Sequence, residues 1–446
     1  MRLSLSKPNG QSAINRSWQQ HWQDILLFIA IGLIAAILSY QAAQLINPAF
    51  IWDKQLGDGW FNNDTTRTFD DMSVYEADHH RTNLHPLIVP LTMPIVYLVR
   101  TVFSVDPVTA VRLVLAGLTF LWFGSLYLLF RLIRIRRFDA ILFTVLAGSS
   151  ASAMFWFVMP ETYPFGSYTL LLGLLLAAVA EYRQLSPLWY VGVGLLTLGI
   201  TVTNWMVGIF ATIVNYPWRK SLVILVQTYL LMVALVIAQK LIFPAFNAGF
   251  IKLFLTAGDE AQSTSSGTEA LYGGALNQIK CFIFDTIVLP KINLLENDFA
   301  IGSKMSVALS PPGSATVWGS VAVVLWRALF SLGVWALFTL KQNRKFRLIL
   351  GLSLLGQLAL EMLYGDERFV HSIHFLPFLI VVAALSTLTK ARVLALVLVA
   401  ALVVTAGVNN TLQFAQAVDY SYGRGVLCAP ATAKCNVQNT TFPNPK

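Results

Sequence analysis

The sequence predicts an all-α polytopic membrane protein of about eleven transmembrane helices with external interfacial helices. Three observations predict it. Only 12% of the 446 residues are charged, 56% are hydrophobic, and the mean hydropathy is +0.64; a soluble domain carries roughly twice that share of charge. Apolar runs of spanning length recur along the chain, a crossing helix needing about 20 apolar residues for a hydrocarbon core of about 30 Å. Short clusters of Arg and Lys separate the runs. The net charge of +9 therefore reads as topology under the positive-inside rule, not as the footprint of nucleic acid.

The elements follow in order. Met1 to Asp24 is polar, carries Arg2, Lys7 and Arg16, and lacks a small-residue cleavage site, so Ile25 to Leu45 reads as a retained signal anchor leaving the cytoplasm. Asn47 to His85 is then external and acidic: Asp53, Asp58, Asp64, Asp70, Asp71, Glu76 and Asp78 outnumber Lys54, Arg67 and Arg81. Pro86 to Phe103 is short and interrupted by Pro90 and Pro94. If it spans, Arg131, Arg134, Arg136 and Arg137 fall outside; if it lies along the outer interface, they fall inside. Charge bias favours the second arrangement.

Val108 to Leu129 then runs inward and Phe138 to Val158 outward, with a short external turn at Pro160, Glu161, Tyr163 and Pro164. Phe165 to Ala180 returns. Leu188 to Val202 and Met206 to Tyr216 read as a hairpin or one long helix; Arg183 on one flank and Arg219 with Lys220 on the other favour the hairpin, hinged at Thr203, Asn204 and Trp205. Ser221 to Phe243 goes out. A long polar stretch, residues 244–313, follows, with a Ser/Thr/Gly-rich loop at 258–274 and a more ordered part at 275–295. Ser314 to Leu340, Leu348 to Tyr364, Phe375 to Leu388 and Val393 to Val408 complete the spans.

The domain reading is an N-terminal membrane module over 1–243 containing the external acidic loop 47–107, an external loop 244–313, C-terminal helices over 314–411, and an external tail 412–446. Cys428 and Cys435 lie close together in that tail, on the oxidising side, and are expected to form a disulfide. Glu361 and Arg327 fall within spans, where ionisable side chains are expected to face protein or water.

Reactive side chains concentrate outside the first span. Asp70-Asp71-Met72-Ser73-Val74-Tyr75-Glu76-Ala77-Asp78-His79-His80 is followed by His85-Pro86-Leu87, and five of the six histidines sit in the two external segments His79 to His85 and His371 to His374. Adjacent carboxylates near apolar surface can hold one pKa raised, which suits a general base. Arg368 at the mouth of a late helix can bind a phosphate bidentately.

The order of these parts resembles the GT-C class of membrane glycosyltransferases, which includes protein O-mannosyltransferases and lipid A aminoarabinose transferases. An acidic pair (Asp70-Asp71) lies in the first external loop, and a His-Pro element (His85-Pro86) opens an interfacial helix. A second external loop carries Glu161-Thr162-Tyr163, a long external loop follows the seventh span, and Arg368-Phe369 stands late in the chain. The resemblance implies a transferase taking a sugar from a polyprenyl-phosphate donor on the outer face, inverting the anomeric centre. Asp70 or Asp71 would be the base and Arg368 the phosphate ligand; Tyr75, His85, Glu161, Tyr163, Asn204, His371 and His374 would line the substrate site.

Three departures stand out: the second acid is Asp where the class often has Glu, the gap from Asp71 to His85 is shorter than expected for the mannosyltransferases, and the second external loop offers a single carboxylate. No cofactor is expected, and a divalent metal is not favoured, because hard cations want several oxygen ligands. The expected partners are the donor lipid, a protein, lipid or glycan acceptor, and membrane lipids, with no nucleic acid. Small size points to a bacterial inner membrane, N-terminus cytoplasmic and C-terminus periplasmic. The alternatives are an O-antigen ligase or polymerase, whose chemistry concentrates in a late external loop, and a lipid or solute transporter, whose ionisable residues would be spread within the spans.

Overall fold

The computed structural model describes residues 10–54, 56, 59–243, 279–296, 303–362 and 368–423, with only the backbone described for 10–21, His80, Cys281, Glu296, Ser303, Glu361 and Arg368. The expected loop at 258–274 and the Cys428–Cys435 pair lie outside the described residues. The described chain is overwhelmingly helical, and seven of its helices are long and apolar enough to cross a membrane: Trp22–Gln44, Pro107–Leu132, Thr162–Ala180, Trp218–Ile242, Val317–Thr339, Phe369–Leu388 and Arg392–Ser421. The protein is a multi-pass, all-α membrane protein.

Helix α1 (Gly10–Gln44) packs along α5 (Pro107–Leu132). Glycine sets how near they come: a Cβ on Gly124 would lie 2.5 Å from the Phe28 ring, and one on Gly32 2.6 Å from the Phe120 ring. Those two rings meet edge to face at 5.5 Å. Between α1 and α5 stand two short helices, α2 (Ala49–Trp52) and α3 (Thr65–Ser73), and the apolar α4 (Ile88–Phe103).

The basic loops gather at one end of the bundle. Asp24 accepts from Tyr127 (2.7 Å), Arg131 (3.0 Å) and Arg137 (2.9 Å). Tyr182, just after α8 (Thr162–Ala180), donates to the Leu132 carbonyl at 2.7 Å. Asn343 donates to the Ile133 carbonyl at 3.1 Å. Arg392 forks onto Asp139 at 2.8 and 2.7 Å, joining the first turn of α15 (Arg392–Ser421) to that of α6 (Arg137–Ser149). The Arg131 to Arg137 cluster thus sits at the same end as the other basic loops.

Both ends of α4 lie at the opposite end. Just before it, Leu87 N–H donates to the Gly199 carbonyl (2.7 Å) at the finish of α9 (Pro187–Ile200). Just after it, Asp106 caps α5, whose Arg112 donates to the Ile46 carbonyl beyond α1 at 2.9 Å. The helix therefore runs across that end without traversing the bundle. Val96 packs under Phe69 and Met72 of α3 and against Val111 and Leu115 of α5. Its outer face carries exposed Tyr97, Leu98, Val102 and Phe103, the pattern of a helix lying in an interface.

Helix α9 and α10 (Trp205–Asn215) form a hairpin joined by a 3-10 turn at Val202–Asn204, closed at the basic end by the Tyr216 hydroxyl on the Leu185 carbonyl. Then α11 (Trp218–Ile242) runs to the opposite end, where its Ile242 carbonyl accepts from Tyr75 at 2.5 Å. The short α7 (Ala151–Trp156) continues from α6 after a break at Ser150. The remaining helices are α12 (Val317–Thr339), α13 (Arg344–Glu361) and α14 (Ser372–Ala384), the last preceded by a 3-10 turn at Arg368–His371.

Two stretches that read as surface are buried. Within the polar 244–313 segment, Phe282, Ile287, Val288 and Leu289 enter the core. An antiparallel pair, β1 (Asn293–Glu296) and β2 (Ser303–Ser306), then joins the first polar loop through Met305 N–H on the Gly59 carbonyl at 3.0 Å. Secondly, α15 continues to Ser421, although its hydrophobic run suggests an end at Val408 with an external tail beginning at Asn409. The physical reason is amide bonding. Buried Asn410 accepts from Leu289 N–H (2.9 Å) and donates to the Ile287 and Ser149 carbonyls (2.8 Å each). Asn409 donates to the Leu289 carbonyl at 2.9 Å.

Candidate functional site

At the end of the bundle away from the basic loops, the first polar loop folds over the start of α8. Glu161 caps that helix: Oε2 accepts from Thr162 N–H at 2.6 Å and Oε1 from Asp64 N–H at 2.9 Å. The side chain is fully buried. Arg81, held on the 3-10 turn His80–Asn83, reaches into the same place. It donates to Glu161 Oε2 and to Thr162 Oγ1, each at 3.3 Å, and to Asp64 Oδ2. A second guanidinium, Arg67, stands 3.4 Å from Asp64 Oδ1. Two carboxylates from different loops thus flank one buried guanidinium. Asp64, 29% exposed, is the member of the cluster that reaches solvent.

Burial pushes the Glu161 carboxyl above its ordinary range, and Arg81 offsets that push only in part. Burial alone disfavours the Arg81 guanidinium, but the charges around it, Glu161 foremost, outweigh burial and hold it charged. His85 is buried too. It approaches the Ile200 carbonyl with Nδ1 (2.6 Å) and Thr162 Oγ1 with Nε2 (3.3 Å). Burial and the Arg81 charge keep its pKa well below that of a free histidine, so it is a neutral ring whose Nδ1–H donates to Ile200 and whose Nε2 accepts from Thr162.

Tyr163 forms the wall beneath. Its ring lies 5.9 Å from the Arg81 guanidinium carbon, 5.2 Å from His371 and 5.5 Å from His374, both rings edge to face. Asn204 donates to the Gly166 carbonyl at 3.1 Å and accepts from Gln357 at 3.3 Å. A Cβ on Gly166 would lie 2.5 Å from His374 Nε2, 2.9 Å from Thr201 Oγ1 and 3.0 Å from Asn204 Nδ2. Only glycine lets α8 pass this polar group. Among the described residues, the buried His374 Nε2 has no hydrogen-bond partner.

The residues expected from the sequence divide into groups. Glu161, Tyr163, His85, Asn204, His371 and His374 come together. Arg368 belongs to the 3-10 turn that leads into His371, and its side chain lies outside the described residues. The next residue, Phe369, is wedged among Phe61 (5.0 Å), Phe155 (5.8 Å) and Trp156 (5.5 Å).

Tyr75 stands apart, exposed against the end of α11. Asp70 faces Lys54 at 3.5 Å on the outer side of α3. Asp71 points inward, 2% exposed, onto His79 Nδ1 at 3.0 Å. His79 adopts a left-handed backbone (φ 48°), unusual for a non-glycine residue. Its Nε2 faces the Tyr75 carbonyl at 3.1 Å. Acceptors at both nitrogens favour the imidazolium. Burial opposes that charge, yet the bond to Asp71 outweighs it and raises His79 above its ordinary value. Burial likewise raises Asp71, offset in part by His79. The pair reads as a lock that closes the loop on itself.

Asp64 and Arg81 were visible in the sequence only as members of a charged loop. The available signal was an arginine between histidines in an otherwise acidic segment. Among the described residues, no group of three or more His, Cys, Asp or Glu is arranged to hold a metal ion; the place between the two carboxylates is taken by Arg81. Compared with protein-family models, with curated proteins and with solved structures, the chain matches none.

Proposed function

We propose that this protein is a GT-C-like glycosyltransferase that moves a sugar from a polyprenyl-phosphate donor to a hydroxyl of a protein, lipid or glycan acceptor, with Asp64 as the base. The arrangement Asp64–Arg81–Glu161 carries the reading. It sets a partly exposed carboxylate on a buried, charge-compensated platform beside an interfacial helix. There an amphipathic donor can present its head while its tail stays in lipid. In this reading the chain has eleven spans. The N-terminus and basic loops are cytoplasmic, and the site and C-terminus are on the periplasmic face of a bacterial inner membrane.

The chemistry is a single displacement. Asp64 takes the proton of the acceptor hydroxyl as its oxygen bonds to the anomeric carbon. The bond from that carbon to the lipid phosphate oxygen breaks, and the phosphate leaves with the electron pair, so the centre inverts. Arg81 and Arg67 orient Asp64. Glu161 holds the Asp64 backbone and the start of α8. Arg368 is assigned to the leaving phosphate, and His371, His374 and Asn204 to the sugar hydroxyls.

Asp70 and Asp71, the pair expected from the sequence, are less suited to the base. One is turned toward Lys54, and the other is buried in its bond to His79. The test is turnover of labelled polyprenyl-phosphate sugars by purified Asp64→Asn, Asp70→Asn and Asp71→Asn at equal protein. A positioned base contributes about 10² to 10⁴ in rate, so Asp64→Asn is expected to lose at least a hundredfold and Asp70→Asn little. Near-normal turnover by Asp64→Asn would reject the assignment, and no turnover of any such donor by the unaltered protein would reject the class.

A further inference from the structure

The exposed side of α12 carries a charge. The helix buries Gly319, Ala322, Trp326, Leu329, Gly333 and Ala336 against the bundle. Its opposite face is exposed and mostly apolar, with Val317, Val324, Trp335 and Phe338 all at least half exposed. Arg327 lies on that exposed face. At 1.5 Å per residue it stands about 15 Å along the axis from Val317 and about 18 Å from Thr339. Neither end is within reach of one side chain, so snorkelling to the headgroups does not relieve it. Among the described residues no hydrogen bond or ion pair engages its guanidinium. An arginine fixed at mid-span in hydrocarbon is costly, and such residues normally meet a partner.

We propose that this face of α12 docks a transmembrane helix of a different protein, one carrying an Asp or Glu near the middle of its span. Charge complementarity selects a carboxylate. A guanidinium in lipid is best matched by a forked acceptor, and the pair has little water to compete with it. Among the described side chains, a second copy offers no carboxylate at mid-span. Among described side chains of the spanning helices, Asp24 and Asp139 are ion-paired at the basic end, and Asp419 lies in the last turn of α15. A symmetric contact through this face would also set Arg327 against Arg327. The neighbours suit close helix approach: Ala328 and Ser331 are exposed beside Arg327, one turn from Val324, and small residues let two backbones come near. The partner helix would lie along α12, outside the bundle that forms the candidate site.

Photo-crosslinking residues at 324 and 331, with a control at exposed Val404 on α15, test this in the native membrane. Crosslinks from 324 and 331 are expected to one protein, mapping within a helical turn of an Asp or Glu in its transmembrane segment, with none from 404. Arg327→Leu, which suits lipid and leaves the buried face of α12 untouched, should cut the yield at least tenfold, equivalent to about 1.4 kcal/mol. Arg327→Glu combined with Arg at the partner's acidic position should restore it. Crosslinks to lipid alone, to a second copy, or to residues 244–278 of the same chain would overturn the proposal. So would a yield that Arg327→Leu leaves unchanged.

Discussion

Replacing Arg81 by methionine removes the guanidinium and keeps much of the side-chain volume. Glu161 then remains fully buried with its charge uncompensated, and Asp64 loses one of its two arginines. Removing one partner of a buried ion pair costs about 3 to 5 kcal/mol. Glu161 keeps two backbone N–H donors, at 2.6 and 2.9 Å, so the lower end, about 3 kcal/mol, is expected. Part of that cost is escaped by protonation. The Glu161 pKa is already raised by burial, and without Arg81 it rises further. A raised folded-state pKa gives stability that is lost as pH rises, so Arg81→Met should be more destabilised at pH 8 than at pH 6.

Glu161→Gln in the same background removes the stranded charge. The double variant should therefore be more stable than the sum of the two single losses predicts, by about 1 to 3 kcal/mol of coupling. Thermal unfolding of the four proteins in one detergent, at pH 6 and pH 8, reads all of these quantities. Additivity within about 0.5 kcal/mol, or a pH-independent Arg81→Met loss, would show that Arg81 and Glu161 do not form the buried unit described.

Other changes test neighbouring parts. The Asp71–His79 pair should make the protein less stable as pH rises: its contribution is complete below the free-histidine pKa of about 6.5 and is lost as pH passes the raised His79 value, so melting should fall from pH 6.5 to pH 9 and His79→Gln should flatten that slope. Gly166→Ala drives a methyl into His374, Thr201 and Asn204. A cost of about 1 to 3 kcal/mol and loss of donor turnover are expected, and a fully active variant would remove those three residues from the site. Asn410→Leu should cost about 1 to 3 kcal/mol, because the Leu289 N–H is left buried without its amide acceptor while the Ile287 carbonyl keeps only the Ala151 N–H; a melt unchanged within a degree would contradict it.

The seven long apolar helices were legible because each needs only its own apolar length and its basic flank. The arrangement of α4 was legible for a related reason: crossing would have moved four arginines to the wrong end. What hydropathy could not register is polar side chains buried by mutual bonding. Asn409, Asn410 and Gln413 look like the end of a span, and Cys281 to Leu295 looks like the more ordered part of an external segment. The amide side chains of the first satisfy backbone groups of Ile287 to Ile292 in the second and are themselves satisfied by them, Gln413 accepting from Ile292 N–H at 3.3 Å. Neither stretch can be placed without the other, and more than a hundred residues separate them.

The candidate site obeys the same rule. Asp71 and His79 are eight residues apart and meet within one loop, so the acidic cluster was noticed where its partners are local. Arg81 and Glu161 are 80 residues apart, and Asp64 and Glu161 are 97 apart. Nothing in the local pattern distinguishes Asp64 from Asp70, since both are acids beside an exposed basic residue in the same external segment. The distinction is made by α3, which starts directly after Asp64 and ends just after Asp71. Its first turn faces the N-terminus of α8, whereas Asp70, most of two turns later, faces outward. The short helix thus gives one carboxylate to the cluster at α8, another to the histidine lock, and a third to Lys54. Inserting or deleting one residue of α3 between Asp64 and Asp70 would rotate Asp70 and Asp71 by about 100° relative to Asp64, so the lock and the cluster could not both form as described.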